Sequence, residues 1–92
     1  MDFYIYFPDE GNPQKLMVMA GSTEHTQPIY KGQKAGTYEQ YPIRTYVWLE
    51  EGGNKNVFLI AYATEPSRDE IEQAILKLKL PPTTNYLDDN EE

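Results

Sequence analysis

Residues 43–64, IRTYVWLEEGGNKNVFLIAYAT, carry the strongest structural signal in this 92-residue chain. Within residues 43–50, and again within 56–64, large side chains alternate between two sets. This is the pattern of strands whose successive side chains point to opposite faces. The residues between them include two adjacent glycines, which tolerate the positive φ of a tight turn. The stretch predicts an antiparallel β-hairpin.

The same period appears at the start of the chain. Residues 3–7, FYIYF, and residues 15–20, KLMVMA, flank a turn-forming segment with two prolines and a glycine, and they predict a second hairpin. Residues 21–42 have no sustained period and contain three glycines and two prolines. They predict a long surface excursion with a brief strand near residues 27–31.

A helix is predicted after Pro66. Ser67 and Glu70 have the spacing of a capping box, and Pro81 ends the segment. One apolar face is formed by Ile71, Ala74, Ile75 and Leu78, and it is widened by Leu76 and Leu80.

These elements predict an α+β fold, an antiparallel four- to five-stranded sheet with one C-terminal helix packed on one face. The expected organisation is a single α+β domain over residues 1–80 and a flexible acidic C-terminal tail over 81–92. We expect the helix to cover Ile43, Val47 and Leu49.

Composition narrows the function classes. The chain has 8 Lys and Arg against 15 Asp and Glu, a formal net charge of −7, and no cysteine. Clustered cations for phosphate backbones or anionic lipid are missing, so direct binding to nucleic acid or membrane is not expected. Thiol chemistry and disulfides are excluded, which favours a cytoplasmic location.

An unusual set of residues falls on the sheet face that the helix is expected to leave open. Tyr, Trp, Met and Arg are enriched in protein interfaces, and a solvated sheet face usually carries smaller polar side chains. The set comprises Tyr4, Tyr6, Arg44, Tyr46 and Trp48, with Tyr30 and Tyr41 at its rim. It predicts a non-catalytic protein-interaction module, an adaptor or small inhibitor, that contacts another protein or forms a homodimer.

Other interpretations remain open at this stage. The excursion over residues 21–42 could fold back and make these aromatics a second core. The same rings could stack on a small ligand or a carbohydrate. The acidic composition and tail are also typical of inhibitors that imitate DNA, or of an acidic motif that docks in a basic groove.

No motif predicts catalysis, a metal or a cofactor. His25 is the only histidine, and its neighbours Ser22 and Glu24 lie in the same predicted loop, so a structural or solvent-exposed role is expected. The acidic pairs fall in turns or in the helix cap, without the oxygen spacing of a calcium loop. The glycines and lysines of residues 30–37 lack the spacing of a phosphate-binding loop.

Overall fold

The computed structural model describes residues 2–19, 21–29, 32, 36–49 and 52–83. The elements in this part of the chain are β1 (Phe3–Phe7), β2 (Gln14–Met17), β3 (Glu24–Pro28), β4 (Tyr38–Pro42), β5 (Arg44–Leu49), β6 (Lys55–Tyr62) and α1 (Arg68–Leu78). A small α+β fold with a C-terminal helix is therefore confirmed. From residue 84 onward, the predicted tail lies outside the described residues.

The main sheet has four strands in the order β2-β1-β6-β5. Both predicted hairpins are present, since β1 pairs antiparallel with β2 and β5 pairs antiparallel with β6. The prediction of an antiparallel sheet is wrong, because β1 and β6 are parallel, with Ile5 opposite Ile60. A period of two shows that a segment is a strand but carries no information about its direction.

A separate two-stranded sheet is formed by β3 and β4, in a region predicted as an excursion with one brief strand. The strands are antiparallel, with His25 opposite Tyr41, and β3 begins three residues before the predicted position. Four of the five side chains of β4 and two of the five of β3 are exposed, and neither sequence has the apolar alternation on which strand prediction depends.

Helix α1 has the predicted cap. The Ser67 Oγ accepts a hydrogen bond from the Glu70 backbone N–H at 3.2 Å, and the Glu70 carboxylate accepts one from the Ser67 N–H at 2.9 Å. The helix ends at Lys79, whose φ of 56° places it in the left-handed region. Its position therefore follows from local sequence.

The helix packs on the sheet face that carries Ile5, Phe58, Ile60 and Tyr46. The prediction that it covers Ile43, Val47 and Leu49 is wrong. Ile43 belongs to a cluster on the other face, and Val47 and Leu49 are exposed. The register sets Tyr46 opposite Phe58, so the even-numbered residues of β5 face the helix and the odd-numbered ones face away.

The opposite face is covered by the β3–β4 sheet. Its buried cluster contains Tyr4, Tyr6, Ile43, Leu59 and Ala61, with Tyr41 of β4 packed against it. The excursion over residues 21–42 thus folds back onto the main sheet, and it makes part of the aromatic set a second core.

Two adjacent helix residues provide a matched test of this packing. Ile75 is 4% exposed beneath the helix, whereas Leu76, predicted to widen the apolar face, is 67% exposed. We expect Ile75→Ala to lower the free energy of unfolding by about 2–5 kcal/mol, because it leaves a cavity in the core. Leu76→Ala should change it by no more than about 0.5 kcal/mol. Urea denaturation of both variants measures the difference, and equal losses would contradict this packing.

Candidate functional site

The predicted binding residues do not share one surface. Tyr4 and Tyr6 belong to the cluster beneath β3 and β4, whereas Tyr46 and Trp48 belong to the cluster beneath α1. Tyr4, Tyr6 and Tyr46 are buried and Trp48 is partly buried. The expectation of one exposed aromatic face is therefore wrong in its geometry, because the parallel register of β1 puts its tyrosines on the side away from Tyr46.

The remaining predicted residues lie at the margins. Arg44 is exposed at the start of β5, with its guanidinium carbon 5.5 Å from the centre of the Tyr62 ring. Tyr41 stacks on Tyr6 at a centroid distance of 5.9 Å. Tyr30 lies outside the described residues.

His25 is buried at the junction between the two sheets. Its Nδ1 lies 2.6 Å from the Tyr4 hydroxyl, and its Nε2 lies 2.9 Å from the Gln27 Oε1. Because an amide oxygen only accepts, Nε2 donates to Gln27, and in the neutral ring Nδ1 then accepts from the Tyr4 hydroxyl. The ring also stacks on Tyr6 at 4.0 Å. His25 thus fastens β3 to β1, a role that its position in the sequence did not reveal.

The neighbours of His25 do not form a catalytic arrangement with it. The Ser22 hydroxyl donates to the Glu24 backbone carbonyl at 2.9 Å, and both ring nitrogens of His25 have other partners. A nucleophile and base must share a hydrogen bond, and these residues do not. Within the described ranges, no three acidic or histidine side chains are grouped so as to hold a metal ion.

Tyr46 of β5 is buried beneath α1 and forms a hydrogen bond to the helix. Its hydroxyl donates to the Glu72 carboxylate at 2.6 Å, and the same carboxylate lies 3.7 Å from the Arg68 guanidinium. Burial, followed by the hydrogen bond to Glu72, raises the pKa of Tyr46. The residue is therefore part of the core with a satisfied polar tip, which leaves it little capacity to contact a partner.

Strand β5 forms one edge of the main sheet and pairs with β6 alone among the described strands. Val47 and Leu49, on the face away from the helix, are 42% and 66% exposed. On the helix side, a groove separates the end of the strand from α1, and its lining includes Trp48, Leu49, Leu76, Lys79 and Leu80. Among the described strands, β5 thus combines an edge that pairs on one side only with exposed apolar side chains.

The other edge strand of the main sheet, β2, has features that discourage pairing with a strand of another chain. It has four residues, Lys15 lies within it, and Pro13 immediately precedes it. Strand β5 has six residues, and its stretch from Thr45 to Leu49 contains neither a charge nor a proline. The two edges therefore differ in their capacity to accept another strand.

Comparisons with protein-family models, with curated proteins and with solved structures find no match to this chain. In the part of the chain that the structure describes, no helix has the length and apolar character needed to cross a membrane. The candidate site accordingly rests on geometry alone.

The junction at His25 can be tested by substitution. His25→Ala leaves the Tyr4 hydroxyl unpaired in a buried position and removes the stacking on Tyr6. We expect a loss of about 2–4 kcal/mol in the free energy of unfolding, the sum of an unsatisfied buried donor and an aromatic contact. Thr26→Ala, on the adjacent exposed side chain, is the matched control and should have little effect. Chemical denaturation would contradict the assignment if both variants were equally stable.

Alkaline titration should reveal the tyrosines of the second core. The hydrogen bond to Glu39, followed by burial, raises the pKa of Tyr41 from 10.0 to about 12. The contribution of this hydrogen bond to the free energy of unfolding is complete below pH 10.0 and is lost as the pH rises toward 12. We expect Glu39→Ala to lower the pKa of Tyr41, measured by tyrosinate absorbance, and to flatten the loss of stability over this interval. Glu24→Ala is the control on β3, and a curve changed equally by both variants would refute the pairing.

Proposed function

We propose that this protein is a non-catalytic protein-interaction module, an adaptor or small inhibitor, that binds another polypeptide along the edge of β5. The observation that carries the proposal is the exposure of Val47 and Leu49 beside a strand edge that pairs with no other described strand. The surface differs from the one expected from the sequence, because Tyr4, Tyr6 and Tyr46 lie in the interior.

The backbone of β5 supplies one part of the recognition. An edge strand presents a row of N–H and C=O groups that an extended segment of another chain can pair with, which adds a strand to the sheet. Thr45 to Leu49 offer these groups without a charged side chain or a proline to prevent close approach. The backbone contacts would give affinity without selecting among partner sequences.

Side chains on both faces of β5 supply the selectivity. Val47 and Leu49 would contact alternate residues of the added strand on one face, and Trp48 would contact them on the other. Trp48 packs on Phe58 at a centroid distance of 6.1 Å, so its indole is held in one position before a partner arrives. A pre-positioned, partly buried tryptophan is a common hot spot in protein interfaces.

A second candidate function is the binding of a small ligand or a carbohydrate in the groove beside α1. The observation in its favour is the indole of Trp48 in the lining of that groove, next to the apolar side chains of Leu76 and Leu80. The two functions differ in what Val47 does, because strand addition requires its exposed side chain, whereas Val47 does not line the groove. Titration of Trp48 fluorescence with sugars and nucleotides distinguishes them.

The proposal can be tested with two lysine substitutions of equal exposure. Leu49 is 66% exposed on β5, and Met19 is 68% exposed after β2 at the opposite edge of the sheet. Immobilised wild-type protein and the Met19→Lys variant should retain the same binding partner. The Leu49→Lys variant should lose it, because a charge would be buried against the added strand.

Circular dichroism must show that both variants are folded. The proposal is supported only by the difference between the variants, since capture by the wild-type protein alone does not identify the surface. Equal retention by Leu49→Lys and wild type would show that the β5 edge is not the contact surface.

A further inference from the structure

The partner of the β5 edge can be narrowed from the order of residues along the strand. The strand begins with Arg44, continues through the uncharged residues Thr45 to Leu49, and is followed in the sequence by Glu50. Opposite charges thus flank an apolar stretch with Val47 at its centre. This order is what a strand needs in order to pair antiparallel with an identical strand.

We propose that the β5 edge pairs with β5 of a second copy of this chain, antiparallel and centred on Val47. The inference rests on the function proposed above and names its partner. The two main sheets would then join into one continuous sheet of eight strands, with both copies of α1 on the same face.

The two faces of the strand limit which registers are possible. A two-fold axis perpendicular to the sheet keeps each face on its own side, so only residues of the same face can lie opposite one another. Centring on Val47 sets the two Val47 side chains against each other and Thr45 against the partner's Leu49. On the helix side it sets Tyr46 beside the partner's Trp48.

A two-fold register centred on Tyr46 is less favourable. Centring on Tyr46 would set Arg44 beside the partner's Trp48 and leave Leu49 beyond the paired stretch. It would also bring together two buried tyrosines whose hydroxyls are already committed to Glu72. The register centred on Val47 avoids both contacts and keeps Leu49 within the paired stretch.

The exposed side chains of β5 agree with this arrangement. Val47 and Leu49 are the exposed large apolar side chains of β5, and the pairing buries both without moving the backbone of the sheet. Part of the apolar surface that a single copy leaves in water is thereby covered by the second copy.

The first experiment is a measurement of mass by multi-angle light scattering from about 1 to about 500 µM protein, a range that detects weak pairing. We expect the mass of two chains at the upper end. Val47→Lys should give a single chain throughout, because two ammonium groups would meet at the two-fold axis. Met17→Lys, whose native side chain is 45% exposed on β2 against 42% for Val47, is the matched control and should pair like the wild type.

The second experiment uses the absence of cysteine from the chain. Residues directly opposite in an antiparallel pair have Cα atoms about 4.5–5.5 Å apart, within the range that a disulfide spans. With dissolved oxygen as the oxidant that takes up the two electrons and two protons, Val47→Cys should form a disulfide-linked dimer at least about tenfold faster than Met17→Cys, because pairing holds its two thiols at a high effective concentration. Oxidation at equal rates would overturn the pairing.

The results separate this inference from the function on which it rests. A single chain at every concentration, together with partner binding that Leu49→Lys abolishes, overturns the self-pairing and leaves the interaction module intact. A dimer that Val47→Lys does not weaken overturns the register and the edge. A wild-type dimer that Val47→Lys dissociates, with rapid cross-linking at position 47, establishes the proposal.

Discussion

Strands β1 and β6 lie side by side at the centre of the main sheet, and each is apolar on both of its faces. Ile5 of β1 and Ala61 of β6 have no exposed surface, although they belong to opposite faces. A single helix can cover only one face of a sheet, so this parallel pair requires a second layer. The β3–β4 sheet supplies that layer, and His25 holds it in place.

The position of this second layer decides which surface stays accessible. It packs over the central strands, where His25 contacts Tyr4 and Tyr6, and β4 approaches β6. Strand β5 lies at the side of the sheet, so the odd-numbered positions at its far end fall beyond the cover. Val47 and Leu49 are therefore exposed even though their residue types and alternation are typical of a core.

Features of the fold that depend on neighbouring residues could be predicted from the sequence. The capping box at Ser67 and the glycine turn of the β5–β6 hairpin are of this kind. Features that depend on distant residues could not. The register of β1 against β6 decides which face Tyr4 shares, and the partner of His25 is 21 residues away. Tyr4 and Tyr46 looked like surface residues because alternation alone does not reveal that their hydroxyls are satisfied internally.

The burial of the tyrosines also explains why the candidate interface contains aliphatic side chains where the sequence predicted aromatic ones. A tyrosine is stable in a core when its hydroxyl has a partner, as those of Tyr4 and Tyr46 do. An exposed leucine or valine has no such compensation, and burying one contributes about 1.5–3 kcal/mol. A chain of this size buries a modest share of its surface, so apolar side chains left in water forgo stability that it could use. Their concentration along an unprotected strand edge supports a binding role for β5 more directly than the number of its aromatic residues.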